Sequence, residues 1–275
     1  MKFRQWHPLW AAIVLIFGCG PSPDQTASNQ KRFDPSKSDP QAVRIADEVM
    51  VAMGGRKNYE AIQYLSFRFV VENDSQIVAD RRHDWNRRNN DYRIESVSRD
   101  GEHVVTVFNL DTRMGMVFKN GQPASEEEKA QALNRAYARF INDTYWLLMP
   151  FKLKDAGAVL KYDGEQEINE VQYDILRLSF ADSVGLTPWN IYRVFVDQAT
   201  RVVHRWEYFE REGASPAAWW WEHWGLFNGI KLAQLRTSAV SNRRIRFLDI
   251  VVSSEVNEKI FEVSMPSKAS IFLLK

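Results

Sequence analysis

The side chains that could carry out chemistry are few and far apart in this sequence. The five histidines are His7, His83, His103, His204 and His223. They form neither a His-Glu-x-x-His pattern nor a close pair, so they indicate no zinc site. The sequence also lacks a Gly-x-Ser-x-Gly elbow, a phosphate-binding glycine loop and a dinucleotide fingerprint. We therefore predict no catalytic residue, no metal and no cofactor.

Aromatic side chains are the most distinctive chemical feature. They make up 13% of the 275 residues and include ten Trp, which favours strands and large apolar surfaces. On a strand, Trp219 and Trp221 would lie on one face, and Trp220 and Trp224 on the other. One face could line a cavity or a membrane interface; equally, both faces could pack inside a thick core. We predict ligand contacts from six aromatic side chains, namely Trp146, Trp206, Trp219, Trp221, Phe67 and Phe69.

A basic run at residues 81–88 could be taken for a nucleic-acid patch, because it reads Arg-Arg-His-Asp-Trp-Asn-Arg-Arg. On a strand, however, alternate residues would divide these charges between the two faces of the sheet. We interpret the run as a solvated strand and expect no nucleic acid as partner.

Two helices are indicated by their start and stop residues. Asp39-Pro40 is a start signal for the first helix, and Gly54-Gly55 ends it. Ser125-Glu126-Glu127-Glu128 is a capping box that starts the second helix, and Pro150 stops it. Trp146 lies near the end of this second helix, where it could close the ligand space as a lid.

Most of the remaining chain predicts strands, because its apolar residues alternate with a period of two between short turns. The candidate strands are residues 64–71, 77–88, 92–98, 103–110, 114–118, 159–162, 171–180, 191–196, 202–209, 219–226, 230–238 and 245–252. Turns this short imply antiparallel meanders, since parallel strands need long crossovers. We predict a mainly β fold with helices: one highly curved antiparallel sheet, or half-barrel, closed by two or three helices.

The first residues resemble an export signal. Residues 1–18 combine a basic start with an apolar run at 9–17 that is too short to span a membrane comfortably. Ile16-Phe17-Gly18-Cys19 resembles a bacterial lipobox, which implies that Cys19 carries acyl chains such as palmitate and anchors the protein in a membrane. The alternative is an ordinary signal peptide followed by a coincidental cysteine.

Composition indicates a soluble globular domain behind a tether. Hydrophobic residues make up 45% of the chain, and 36 basic side chains face 35 acidic ones. This balance excludes a disordered chain, a polybasic binder and a polytopic membrane protein. Residues 19–39 are rich in Pro, Ser and Asp and predict a flexible tether. We expect residues 40–275 to form a single domain.

Three segments carry a family resemblance: residues 143–153 (Asp-Thr-Tyr-Trp-Leu-Leu-Met-Pro-Phe-Lys-Leu), residues 185–188 (Gly-Leu-Thr-Pro) and residues 192–206. They resemble a group of bacterial envelope lipoproteins that looks like a branch of the LolA/LolB-like lipoprotein-carrier superfamily. The resemblance spans roughly residues 41–262. It implies a half-barrel closed by helices around an apolar cavity for acyl chains, with no catalytic residues.

The function expected from these features is the non-catalytic binding of a lipid, acyl chain or other apolar ligand. An aspartate directly after the lipidated cysteine would resemble an inner-membrane retention signal of enteric bacteria. This chain has Gly20 at that position, so we expect anchoring in the outer membrane, facing the periplasm. An envelope protein partner stays open. The alternatives are a structural or interaction lipoprotein with a filled core, and a carboxylate-dependent hydrolase of envelope glycans or lipids.

Overall fold

The computed structural model describes residues 32–98, 100–181 and 187–262. All helices and strands described lie in a compact unit that begins at Arg32. Because Arg32–Lys275 forms a compact unit by itself, we expect residues 32–275 to fold without the preceding segment. The predicted signal peptide and Cys19 lie outside the described residues.

The chain forms three α-helices within this range: α1 (Pro40–Ala52), α2 (Arg56–Glu60) and α3 (Glu126–Leu148). Short 3-10 helices span Pro35–Lys37, Met149–Lys152 and Glu258–Ile260. The strands are β1 (Tyr64–Asn73), β2 (Gln76–Asn86), β3 (Asp91–Val97), β4 (His103–Asn109), β5 (Gly115–Lys119), β6 (Gln122–Pro123), β7 (Ala158–Ile168), β8 (Val171–Phe180), β9 (Ile191–Asp197), β10 (Val203–Phe209), β11 (Ala217–Phe227), β12 (Ile230–Ser238) and β13 (Arg243–Ser253).

All thirteen strands belong to one curved, unclosed antiparallel sheet, which confirms the predicted mainly β fold. The spatial order is β6-β5-β4-β3-β2-β1-β13-β12-β11-β10-β9-β8-β7. Two meanders therefore meet where β1 pairs with β13, the first and last strands in the described part of the chain. The two edge strands, β6 and β7, are the strands that precede and follow α3, so the helix connects opposite edges of the sheet.

The two predicted helices, α1 and α3, begin and end close to the predicted residues, whereas α2 has no counterpart in the sequence analysis. Pro40 occupies the first turn of α1. This helix ends at Ala52, and Gly54 follows with a φ of 112°; a Cβ on Gly54 would lie 2.1 Å from the Gly229 carbonyl oxygen. In α3, the Ser125 backbone N–H donates to Glu128 Oε2 at 3.1 Å, and the Glu128 N–H donates to Ser125 Oγ at 3.4 Å, which completes the capping box.

The end of the predicted tether is bound to the sheet. The Asp39 carboxylate accepts the Tyr162 N–H at 2.9 Å, and Ser38 Oγ accepts the Leu160 N–H at 2.9 Å. Both acceptors bind β7, an edge strand with unpaired backbone donors. The last residues of the predicted tether are therefore held against the sheet by hydrogen bonds.

Two hydrophobic cores lie under α3. The larger core combines side chains of α1, of β1 and of β7–β13, among them Ile45, Phe67 and Leu176. The smaller core contains Tyr92 and Phe108 of β3 and β4, packed against the middle of α3. In the described ranges, no helix has the length and apolar character needed to cross a membrane.

Candidate functional site

A continuous group of aromatic rings lies between the C-terminal end of α3 and strands β9–β11. We define this aromatic cluster as Tyr145, Trp146, Tyr192, Trp206, Trp219, Trp221 and Trp224. The Trp146 ring centroid lies 4.4 Å from that of Trp206 and 5.2 Å from that of Trp219. The Trp206 and Trp221 centroids are 5.4 Å apart. These are ordinary distances for edge-to-face aromatic packing, so the rings form one contiguous apolar surface.

The structure brings all six aromatic candidates from the sequence into the same hydrophobic core. Trp206, Trp219 and Trp221 are buried, and Trp146 is half-buried against them. Phe67 and Phe69 are buried on β1, where their rings lie 5.7 Å and 5.4 Å from the Phe247 ring. Whether these side chains contact a ligand stays a prediction.

The expected separation of Trp221 and Trp224 onto opposite faces is wrong. Their rings stack at a centroid distance of 6.1 Å and an interplanar angle of 26°. His223 between them has φ of 54°, outside the extended region, so the side-chain alternation is interrupted at this residue. Trp224 therefore joins the cluster instead of the other side of the sheet.

Arg236 on β12 is the functional candidate that sequence reasoning missed. Its side chain is fully buried. The guanidinium lies 3.6 Å from the Trp221 ring centroid and 5.1 Å from that of Phe247, so it joins the aromatic cluster to the phenylalanines. The only sequence signal for its burial was its position: Arg236 lies an even number of residues after Ile230 and Leu232, so it shares their face of the strand.

The partners of Arg236 in the described part of the chain are backbone carbonyls. Nη1 donates to Ala233 O at 3.0 Å and to Leu235 O at 3.1 Å, and Nη2 donates to Trp146 O at 2.7 Å. No described carboxylate pairs with it, and burial lowers the pKa of the guanidinium well below its usual value. The site therefore holds a buried cation whose charge is not neutralised by the described side chains.

Several buried hydrogen-bonding groups of the aromatic cluster and of Arg236 have no partner among the described residues. These groups are Tyr145 Oη, Trp206 Nε1, Trp221 Nε1, Trp224 Nε1 and Arg236 Nε. Each of them can donate a hydrogen bond. Since buried polar groups are nearly always hydrogen-bonded, this group of donors would be stabilised by an acceptor-rich partner.

A pocket of about 380 Å³ adjoins the cluster at Trp224. Its walls are formed by Thr200, Val202, His204, Trp224, Gly225, Leu226 and Lys231. The volume falls at the lower end of the range of roughly 300–1,000 Å³ that small-molecule pockets occupy. The Lys231 side chain brings a positive charge to its wall.

A second buried polar group attaches α3 to β2; we call it the Asp143 network. Asp143 accepts from Arg81 Nε at 2.6 Å and from Arg81 Nη2 at 3.0 Å, and His83 Nε2 lies 3.0 Å from Asp143 Oδ2. His83 Nδ1 lies 2.8 Å from the Tyr92 hydroxyl. Asp143 and His83 are fully buried, so the network fixes the C-terminal half of α3 over the sheet.

The interpretation of residues 81–88 as a solvated strand is right only in part. Arg82 and Arg88 are exposed, but His83, Asp84 and Asn86 are buried. The helix α3 covers one face of β2, and on the other face the Tyr64 hydroxyl donates to Asp84 at 2.6 Å. Sequence periodicity gave no sign of this, since the covering helix is about 60 residues away.

Burial and charge act in opposite directions on the network's pKa values. Burial lowers the pKa of His83 and outweighs the hydrogen bond and charge of Asp143, with Arg81 opposing protonation and Asp84 favouring it. Burial raises the pKa of Asp143, but His83 and Arg81 together lower it below its usual value. Near pH 7 we therefore expect neutral His83 and ionised Asp143. No described group of three or more His, Cys, Asp or Glu side chains could hold a metal ion.

Comparisons with known proteins find similar folds at low sequence identity. No protein-family model matches the sequence, and no curated protein matches it. A DUF1329 family protein from Desulfovibrio piger is similar in structure, with 11% identity, TM-score 0.49, and coverage of 82% of this chain and 98% of that one. A putative outer membrane lipoprotein-sorting protein domain from Vibrio parahaemolyticus has 10% identity, TM-score 0.46, and coverage of 80% and 96%. A LolA superfamily protein from Nitrosomonas europaea has 9% identity, TM-score 0.45, and coverage of 81% and 97%. A protein of the LolA superfamily, which the sequence resembles, is thus among the similar structures.

Proposed function

We propose that this chain is a non-catalytic protein of the bacterial envelope that binds an acyl chain or another apolar ligand against the aromatic cluster, beneath α3. The observation that supports this most is the cluster itself. Strands and helix contribute rings to one surface, and a pocket of about 380 Å³ adjoins it at Trp224. Large aromatic side chains with a few polar groups are the usual lining of small-molecule sites.

The length of acyl chain that is buried decides whether such a ligand binds. Each buried methylene contributes about 0.8 kcal/mol, so ten methylenes contribute roughly 8 kcal/mol. Association costs an estimated 4–15 kcal/mol, so most of a medium chain must be buried before binding becomes measurable. The pocket at Trp224 would hold one part of the chain, and rotation of Trp224 or Trp221 would admit the rest.

Membrane attachment is the second part of the proposal. The lipobox-like sequence at Cys19 supports acylation, which would place the domain at a membrane surface in the envelope. With Gly20 after the cysteine, we propose the outer membrane, facing the periplasm. A lipid or acylated molecule would then be the ligand available to the cluster.

Binding is tested by titrating residues 32–275 with a fluorescent fatty acid such as pyrene-dodecanoic acid. We expect saturable binding that Trp206→Leu weakens by about 1–3 kcal/mol, roughly 5- to 150-fold. The matched control is Trp189→Leu, since Trp189 is 60% exposed and is not part of the cluster. Circular dichroism of each variant checks that the fold survives.

A structural role is the second candidate, because the rings of the cluster already contact one another closely. In that case neither pyrene-dodecanoic acid nor a copurifying lipid would be bound, as native mass spectrometry of the same protein would show. Chemical conversion of the probe would instead support a hydrolase and reject the proposed non-catalytic function.

A further inference from the structure

We infer that Arg236 recognises an anionic head group, so that the ligand is an acyl compound ending in a carboxylate or a phosphate. This inference rests on the proposed function, because it concerns the same site. It adds the chemical class of the ligand, which neither the aromatic cluster nor the fold specifies. The argument starts from the charge of Arg236.

Other partly buried arginines of this protein pair with carboxylates. The pairs are Arg81 with Asp143, Arg68 with Asp80, Arg201 with Asp174 and Arg205 with Glu207. Arg236 is more deeply buried than any of these arginines, yet no described carboxylate pairs with it. A buried ion is costly unless it is paired, and removing a guanidinium from water without a counter-charge is therefore unfavourable. An anionic ligand would supply the missing charge.

Unsatisfied donors of Arg236 and of the aromatic cluster also favour an anion over a neutral apolar molecule. Arg236 Nε and the indole N–H groups of Trp206, Trp221 and Trp224 are buried donors without acceptors among the described residues. A hydrocarbon would leave all of these donors unsatisfied. Carboxylate and phosphate oxygens accept several hydrogen bonds each, and bonds to a charged acceptor are the stronger ones.

A path of contacts leads from the pocket to Arg236. Trp224 forms part of the pocket wall and stacks on Trp221 at 6.1 Å. Trp221 in turn contacts the Arg236 guanidinium at 3.6 Å. Displacement of these two rings would therefore connect the pocket, where Lys231 adds positive charge, to the buried cation.

The competing explanation is that Arg236 only fixes α3, through its hydrogen bond to the Trp146 carbonyl. That role would make Arg236 important for stability but would give the site no preference between acidic and neutral ligands. A comparison of ligands on the unaltered protein separates the two explanations without any substitution.

The experiment measures binding of three twelve-carbon compounds to residues 32–275 by isothermal titration calorimetry: dodecanoate, dodecyl phosphate and methyl dodecanoate. Inorganic phosphate alone is the fourth ligand. We expect one or both anionic amphiphiles to bind at least about tenfold more tightly than the methyl ester, as expected for hydrogen bonds to a charged group. The tighter of the two identifies the head group. Inorganic phosphate should not bind measurably, because it lacks the apolar chain.

The Arg236→Met variant should lose the preference for the anion while retaining binding of methyl dodecanoate. Arg236→Lys, which keeps the charge, should retain part of the preference. The matched control is Arg205→Met, because Arg205 also stacks on aromatic rings of the sheet but pairs with Glu207. If Arg236→Met does not fold, the affinities of the unaltered protein for dodecanoate and methyl dodecanoate still distinguish anion recognition from a purely structural role.

Equal affinity of the unaltered protein for dodecanoate, dodecyl phosphate and methyl dodecanoate would overturn the inference and leave the proposed function intact. A preference that persists in folded Arg236→Met would also overturn it. If none of the amphiphiles binds, the proposed function fails as well.

Discussion

Replacing Asp143 by asparagine should lower the free energy of unfolding by about 3 kcal/mol. Asparagine has nearly the same shape but no charge, so Arg81 and His83 would lose their common partner. Removing one partner of a buried ion pair costs about 3–5 kcal/mol. We expect the lower end of this range, because the Arg81 side chain is 14% exposed and keeps some hydration.

Urea unfolding of residues 32–275, followed by tryptophan fluorescence and circular dichroism, measures this loss. For a domain of about this size, 1 kcal/mol shifts the melting temperature by about 2–4 °C, so we expect a decrease of about 6–12 °C. The matched control is Asp163→Asn. Asp163 accepts from Arg193 Nε at 2.8 Å, but the two side chains are 37% and 28% exposed, so the cost should stay below about 1 kcal/mol.

A double substitution distinguishes lost attraction from poor packing. Arg81→Met with Asp143→Leu removes both charges, and apolar replacement of a buried pair is often neutral. We expect the double variant to be more stable than Asp143→Asn alone. Our reasoning about the Asp143 network would be refuted if Asp143→Asn cost no more than Asp163→Asn.

Four further predictions concern other residues. The pKa of His83 is lower in the folded protein than in the unfolded chain, so the unfolded chain binds a proton first and the protein loses stability as the pH falls below about 6.5. In His83→Gln, stability should therefore fall less steeply with decreasing pH. Gly54→Ala should destabilise by more than about 1 kcal/mol, because its Cβ would lie 2.1 Å from Gly229 O at a φ of 112°. Ser125→Ala should cost about 1 kcal/mol by removing the cap of α3. Cys19→Ser should abolish incorporation of labelled palmitate in bacterial cells.

Controls and contrary outcomes are available for each of these. If the free energy of unfolding depends on pH equally in His83→Gln and the unaltered protein between pH 7 and 5, the pKa of His83 is not lowered by folding. Gly164→Ala has a positive φ but no atom within 4 Å of its Cβ, and should cost less than Gly54→Ala. Full stability of Ser125→Ala would reject the capping argument, and unchanged palmitate labelling of Cys19→Ser would reject acylation at Cys19.

Local patterns in the sequence determined the secondary structure and the type of sheet. The capping box at Ser125, the proline at the start of α1 and the glycines after it act within a few residues, and each is confirmed. Alternating apolar residues and short turns likewise predicted antiparallel strands, since both are properties of adjacent residues. The six aromatic candidates share one core, which their large apolar side chains favour, whereas their contact with a ligand stays a prediction.

The tertiary structure alone decided which distant residues meet. The pairing of β1 with β13 joins residues about 180 positions apart, and no local pattern encodes it. That pairing brings Phe247 beside Phe67 and Phe69, and the course of α3 from one sheet edge to the other brings Asp143 onto Arg81 and Trp146 onto Arg236. A charged residue in a strand is usually solvated, so only the covering helix could reveal that Arg236 and His83 are buried. The burial of these polar residues follows from long-range packing, because the same sequence alternation fits an exposed face and a covered one.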